Sequence, residues 1–365
     1  MSAGDDGSTA ATGGAARTKA RRRPPPSPAR MPRRAPRTAT VAVILAMAIA
    51  GACTETAATE EVGTLSFTLD NDLFAGSDRY YTNGVRLAWR SPAASPPGWL
   101  AALEPLGRAF MPPDAARRWG LALGQSLFTP EDIARENPDP DDRPYAAWLY
   151  GAVNLSSAQA TSLSRLELQL GVVGPAALGE EAQNTVHRIN RGQEAEGWDF
   201  QLANEPGGNA IASRIWRYNH PLAGEDGFAV GALPSLTASL GNVQTHAAAG
   251  LLLRAGWGLN ADFGPPRIRP SVTGSAFVDA EERSGGYVFA GVEGRAVARD
   301  LFLDGNTFQD SRSVDKKPLV TEASVGAAWL FPGGRLSYTH VFRTEEFRRQ
   351  ESTSSFGSLS LSLNF

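Results

Sequence analysis

"SSFGSLSLSLNF", residues 354–365, is the stretch that decides the fold. Written as an extended chain, it puts Leu359, Leu361, Leu363 and Phe365 on one side and Ser358, Ser360, Ser362 and Asn364 on the other. Side chains of a β-strand alternate with a period of two, so this is a strand with one apolar and one small polar face. A soluble sheet would bury the apolar face in a core, whereas a membrane barrel would turn it to lipid and keep the serines inside. The strand alone fits both.

Its position favours the barrel. A phenyl ring closing such a strand resembles the C-terminal signal by which bacterial outer-membrane barrels are recognised and inserted by their assembly machinery. The same alternation recurs upstream: in "SRLELQLGVV" (164–173) Leu166, Leu168, Leu170 and Val172 oppose Arg165, Glu167 and Gln169. Comparable segments lie near 64–70, 84–90, 119–128, 144–155, 212–219, 227–239, 246–262, 268–279, 286–298, 318–330, 335–343 and 354–365. Bacterial barrels use an even number of strands, so the expectation is an all-β, twelve-stranded antiparallel transmembrane barrel. Closing the sheet leaves no backbone donor or acceptor facing lipid without a partner. Gly and Pro punctuate the connections, as in "FGPPRIRP" and "LFPGGR". Eight Trp and seven Tyr would furnish partial girdles at the two membrane interfaces. A soluble β-sandwich or lipocalin-like barrel is the alternative.

The other end of the chain agrees with export. Residues 1–38 carry nine Lys/Arg against two acids among Ala, Pro, Gly, Ser and Thr, which is unfoldable material. Residues 1–30 are read as a disordered basic extension or as the product of a misplaced start codon. From Met31, "MPRRAPRTATVAVILAMAIAGA" (31–52) has the basic front, apolar run and small-x-small ending of a cleaved signal peptide. The apolar run is shorter than the roughly 20 residues of a spanning helix. The barrel is then assigned to 53–365. Cys53, the single cysteine, would stand at the new N-terminus, where lipidation is a minor reading. With no second thiol, a disulfide scaffold and a cysteine zinc site are excluded. Removing 1–52 leaves 26 basic against 36 acidic residues, which argues against nucleic acid and suits divalent cations and cation-bridged lipids. The sequence is silent on oligomeric state.

Two stretches break the strand pattern. "AALGEEAQNTVHRINRGQ" (176–193) is built largely from helix formers, with Pro175 before it and Gly192 near its end, and reads as a short helix in a long loop. Gln183 and Asn184 precede His187 by four and three positions, so the three share a face. His187 is then either a surface histidine or a general base whose tautomer an amide fixes. "NDLFAGSDRYYTNG" (71–84) crowds polar residues at a strand rim, and Asn71 and Asp72 are either turn formers or oxygen ligands. Asp78, Arg79 and Asn83 read as turn residues.

Taken together, "NDLFAGSDRYYTNG" (71–84), "DDRPYAAWLYG" (141–151), "GVVGPAALGEEAQNTVHRI" (171–189) and "GWDFQLANEP" (197–206) resemble the outer-membrane lipid A 3'-O-deacylase family, also called LpxR. The resemblance implies a twelve-stranded barrel in the outer membrane and a calcium-dependent esterase that removes the 3'-linked acyloxyacyl group of lipid A from lipopolysaccharide in the outer leaflet. It carries the active site onto Asn71, Asp72, Thr82 and His187, with the helix in an extracellular loop and Ca²⁺ held by Asp72 and Asn71. A basic residue also belongs to that site, and Arg135 in "FTPEDIAR" is the nearest match. No Gly-x-Ser-x-Gly elbow occurs, so water would be the nucleophile. Glu194, Glu196, Asp199 and Glu205 form an acidic cluster that either binds the ion or faces solvent, and His220, His246 and His340 read as structural. A phospholipid esterase and a non-enzymatic pore are the competing functions. The His-x-Ser-Asn-Gly string of outer-membrane phospholipase A is absent.

Overall fold

In the computed structural model, which describes residues 63–72, 80–92, 97–103, 105, 107, 110–112, 117–190, 194–224, 227–268 and 284–365, the alternating segments pair with their sequence neighbours. They form β1 (Thr64–Asn71), β2 (Tyr80–Arg90), β3 (Arg117–Thr129), β4 (Ala146–Gln159), β5 (Ser162–Val173), β6 (Glu205–Trp216), β7 (Ala229–Gly241), β8 (Gln244–Trp257), β9 (Gly285–Asp300), β10 (Leu319–Phe331), β11 (Gly334–Arg343) and β12 (Ser354–Asn364). A short stretch, Tyr218–Pro221, continues β6 along β7 past Arg217. Two pairings close the sheet. β1 meets β12 from Thr64↔Asn364 to Asn71↔Gly357, and β6 meets β7 from Asn209↔Gly241 to Ile215↔Ser235. The protein is a closed twelve-stranded antiparallel barrel, as expected. No helix among the described residues is long and apolar enough to cross a membrane.

Some boundaries differ from the expectation. The strand read at 212–219 begins at Glu205, because Pro206, Gly207 and Gly208 look like a turn yet pair with Val172, Gly171 and Leu170. Strand β8 stops at Trp257, and Leu259–Ala261 turns away from the wall. The strand read at 268–279 falls almost wholly on residues 269–283, outside the described ones, as do the extension and signal-peptide readings of 1–52 and Cys53.

The terminal strand shows why the pattern works. Ser358, Ser360 and Ser362 are buried inside, while Leu359 and Leu363 stand exposed on the outer wall. Across the closing seam Ser66 Oγ donates to Ser362 Oγ at 2.8 Å, and the Thr68 and Ser360 hydroxyls lie 3.1 Å apart. The lumen combines apolar packing with buried charge. Arg86 makes a two-pronged contact with Glu167 at 3.0 and 2.9 Å. Glu322 gathers Arg295 at 2.6 Å, Arg343 at 2.7 Å and Arg267 at 2.8 Å. Asp262 gathers Arg335 at 2.5 Å and Arg254 at 2.6 Å. Asp262 and Arg267 belong to the connection after β8, so that segment folds back into the barrel and brings Phe263 and Ile268 with it as buried residues.

Tryptophan marks one interface rather than the expected two. Trp89, Trp99, Trp119, Trp216, Trp257 and Trp329 all lie toward the end where β1 begins and β12 finishes. Trp89 meets Trp119 edge-on at 4.8 Å, and Phe228 meets Trp257 at 5.0 Å. Trp148 and Trp198 are buried at the opposite, far end.

Candidate active site

The far end of β1–β3 departs from the apolar rule of the outer wall. Register pairs Asn71 with Asn83, Leu69 with Val85 and Phe67 with Leu87 on β1 and β2. It also pairs Asn83 with Leu127 and Val85 with Gln125 on β2 and β3. Asn71, Asn83 and Gln125 therefore stand in the same outward rows as Phe67, Leu87 and Leu127. Between Tyr81, paired with Phe128, and Asn83, paired with Leu127, the register slips and leaves Thr82 as an extra residue. Such a bulge re-aims a side chain. Tyr81 packs inward against Phe128 and Phe356 and donates to Asp70 Oδ2 at 3.1 Å. The Thr82 hydroxyl instead sits 2.7 Å from that of Thr129. Tyr80, just before the bulge, has φ of 70°, a region that non-glycine residues rarely adopt.

The loop after β5 supplies the other half. Pro175–Ala177 forms a 3-10 turn, Leu178 breaks it with φ of 59°, and α1 runs over Gly179–Asn190. Glu180 and Glu181 in the first turn and Arg188 in the last suit the helix dipole. The loop lies on the outer wall rather than over the barrel mouth. Leu127 of β3 and Ala147 of β4 are 2% and 0% exposed beneath it, in a cluster with Ile133, Tyr145, Ala177, Ala195 and Trp198. Leu123 and Leu121, lower in the same row of β3, are 39% and 41% exposed. Gln125 Nε2 donates to the carbonyl of Ala177 at 2.6 Å and pins the loop down. Gly179 allows the close approach, since a Cβ there would lie 2.5 Å from Trp198 Cη2 and 2.6 Å from Ala147 Cβ.

Between α1 and this wall is a cavity of about 130 Å³. Its polar lining is Asn71, Asp72, Thr82, Asn83, Gln125, Gln183 and His187, and its apolar lining is Leu69, Val85, Leu127, Ala182 and Val186. Four of the residues singled out in the sequence are thus brought together: the β1–β2 hairpin contributes Asn71, Asp72 and Thr82, and α1 contributes His187. Asp72, Thr82, Gln183 and His187 are all buried. The oxygens of the two helix amides are directed away from the cavity. Gln183 Oε1 accepts from Trp198 Nε1 at 2.8 Å, and Asn184 Oδ1 accepts from the Ala195 N–H at 3.1 Å.

Arg135 does not line the cavity. Its guanidinium is half exposed and pairs with Asp139 at 3.4 Å. Asn83, read in the sequence as a turn residue, is a strand residue facing the cavity, whereas Asp78 and Arg79 lie outside the described residues. Gln125 had a signal that went unused: it is the one polar side chain in the row Leu121, Leu123, Gln125, Leu127. The acidic cluster does not assemble, and no group of three His, Cys, Asp or Glu side chains suited to a metal occurs among the described residues. Glu194 pairs with Arg188 at 3.7 Å on the surface. Glu205 accepts from Asn306 Nδ2 at 2.9 Å and the Thr307 N–H at 2.7 Å, tying two far-end loops together.

The family model described as "Outer membrane protein LpxR" matches residues 39–365. The chain belongs to the LpxR family. Family membership places the barrel in the outer membrane. LpxR from Salmonella typhimurium superposes with a TM-score of 0.69 at 24% identity, covering 83% of this chain and all of that one, and shows the same fold. The β domain of the Bordetella autotransporter BrkA aligns at 10% identity with a TM-score of 0.42, covering 84% of this chain and all of that one. No curated protein matches the chain.

Proposed function

We propose that this LpxR-family barrel is an outer-membrane esterase that hydrolyses the 3'-linked acyloxyacyl group of lipid A. The observation that carries the reading is the position of the cavity. It lies between α1 and the outward-facing rows of β1–β3, and combines His187 and a set of oxygen and amide groups with Leu69, Val85, Leu127 and Val186. An ester flanked by acyl chains meets both kinds of surface when it approaches from the bilayer rather than through the lumen. With the far end outside the cell, the cavity is level with the outer leaflet, where lipopolysaccharide lies.

The chemistry follows from the groups present. His187 accepts a proton from water as that water attacks the ester carbonyl carbon. The tetrahedral oxyanion then collapses, the bond to the sugar oxygen breaks, and the imidazolium passes its proton to that departing oxygen, which leaves as the 3'-hydroxyl. The products are the free acyloxyacyl fatty acid, which keeps the oxygen of the water, and a lipid A with a 3'-hydroxyl. Thr82, held by Thr129, orients the water or the carbonyl. The Gln183 amide nitrogen faces the carbonyl oxygen as a donor. The Asp72 carboxylate, Asn71 amide and Thr82 hydroxyl are hard oxygen donors, which fits Ca²⁺ as part of a shell completed by water and substrate. Asp72 and Asn71 would hold the ion, and when bound it would polarise the ester carbonyl.

Mass spectrometry of lipid A from cells making the wild-type chain, compared with the His187→Ala chain, tests the reading. Loss of the 3'-linked group with wild type, and its retention with His187→Ala or under chelation by EGTA, is the expected result. Unchanged lipid A in the presence of folded wild-type barrel overturns it, and fatty acid release from purified phospholipid would point to the phospholipid esterase instead.

A further inference from the structure

The direction of the Gln183 amide is set by a residue that does not line the cavity. Gln183 Oε1 accepts 2.8 Å from Nε1 of Trp198. An indole nitrogen only donates, so its partner must be the amide oxygen, and the amide nitrogen must point the other way. That nitrogen is buried and meets no hydrogen-bond partner among the described residues, while the Gln183 side chain lines the cavity beside His187 and Thr82. A buried N–H pair without an acceptor is costly, and an acceptor arriving in the cavity relieves that cost.

Trp198 is built to hold its own position. It is 1% exposed, with its ring 4.9 Å from Tyr145 and its far edge packed where Gly179 leaves no room for a side chain. The turn it opens is closed by Phe200 N–H to Gly197 C=O at 3.0 Å and by Gln201 N–H to Trp198 C=O at 3.1 Å. Next to it, the Leu202 N–H donates to the Tyr145 carbonyl at 2.9 Å. The indole is thus a fixed point, and the glutamine, on its long flexible stem, is the part that it orients.

We propose that Trp198 is a positioning residue: it locks the Gln183 amide with its N–H bonds aimed into the cavity, ready for the carbonyl oxygen of the ester, whose negative charge grows in the tetrahedral step. The inference rests on the esterase reading above.

The test is a double-mutant cycle on the full barrel in lipid bilayers, with lipid A as substrate, comparing wild type, Trp198→Phe, Gln183→Ala and the double variant. Losing a donor to an oxyanion costs about 100-fold in kcat, so Gln183→Ala should fall by that order, while Trp198→Phe, which leaves the donor present but loose, should fall about tenfold. In both, KM should stay within about twofold and the pH–rate profile should keep its shape, because His187 is untouched. The double variant should match Gln183→Ala alone. If Trp198 acts only through packing of the loop, Trp198→Phe will cost the same factor again in the Gln183→Ala background, and the inference is overturned. Full activity in Trp198→Phe overturns it as well. A wild-type barrel that leaves lipid A intact overturns the esterase reading and the inference together, whereas an active wild type with an uncoupled cycle overturns the inference alone.

Discussion

The lumen and the cleft on the outer wall both bury polar side chains, yet they differ in what those side chains do for one another. In the lumen opposite charges meet in numbers: Arg295, Arg343 and Arg267 surround Glu322, and Arg254 and Arg335 surround Asp262. Such a cluster is costly to desolvate, and removing one partner leaves the other charges buried without compensation, so its members act on the barrel's stability. In the cleft no Arg or Lys is among the described lining residues. An imidazole, a carboxylate, hydroxyl and amide groups line about 130 Å³ alongside leucine and valine, on a face that elsewhere is apolar. Polar groups in a barrel's interior are expected, whereas polar groups in a lipid-facing row require a reason. The cleft is marked by polar residues, Asn71, Asn83 and Gln125, that stand on the lipid-facing side of the wall.

The largest effects should separate the two regions. His187→Ala is expected to lower deacylation by on the order of 10³-fold, the scale of a lost general base, and to leave the barrel's heat-modifiable mobility and urea midpoint at wild-type values. Glu322→Ala should do the reverse. It leaves three buried arginines without their shared carboxylate, so stability against guanidinium should fall by about 3–5 kcal/mol, while activity per folded molecule stays at the wild-type level. If Glu322→Ala instead removes activity from folded barrels, the lumen and the cleft are one functional unit and the distinction fails.

Within the cleft the next effect is smaller. Thr129 touches Thr82 at 2.7 Å and is itself fully buried without lining the cavity. Thr129→Val keeps the shape and removes the hydroxyl, and should lower kcat by about tenfold, on the scale of one neutral hydrogen bond. Thr129→Ser should restore most of it. Equal loss in the two variants would show that the methyl group matters rather than the hydroxyl.

These tests also mark where the sequence was legible. Period-2 alternation carried the barrel because lipid and lumen impose opposite demands on successive residues, and Ser358 to Leu363 obey them without exception. Strand β6 was displaced because Pro206, Gly207 and Gly208 punctuate like a turn, and only pairing with β5 shows them to be wall. Tryptophan count could not say at which end the rings collect. The hairpin placed Asn71 and Asp72 near Thr82 by antiparallel pairing alone, but the bulge that turns Thr82 outward leaves no mark in composition. His187 was legible as a residue and not as a neighbour. Its approach to the hairpin depends on the loop lying against Leu127 and Ala147 on the outer wall, a long-range packing event that no local spacing encodes.

Arg135 gives the smallest and sharpest prediction. Resemblance placed a basic residue in the site and offered Arg135 for it, yet the side chain is 52% exposed, bonds to Asp139 four residues on, and does not line the cavity. An exposed pair of this kind contributes on the order of 0.2–1 kcal/mol and is screened by salt. Arg135→Ala should therefore change neither stability nor kcat by more than about twofold, at low and at physiological ionic strength. Among the described residues no other Arg or Lys lines the cavity, so a neutral Arg135 would leave the proposed carbonyl polarisation to the amide and hydroxyl groups that do line it. A drop of tenfold or more in kcat for Arg135→Ala, with folding intact, would mean that the loop carrying it swings inward when lipid is bound, and would add a charge to a cleft whose described lining, unlike the lumen, holds no arginine.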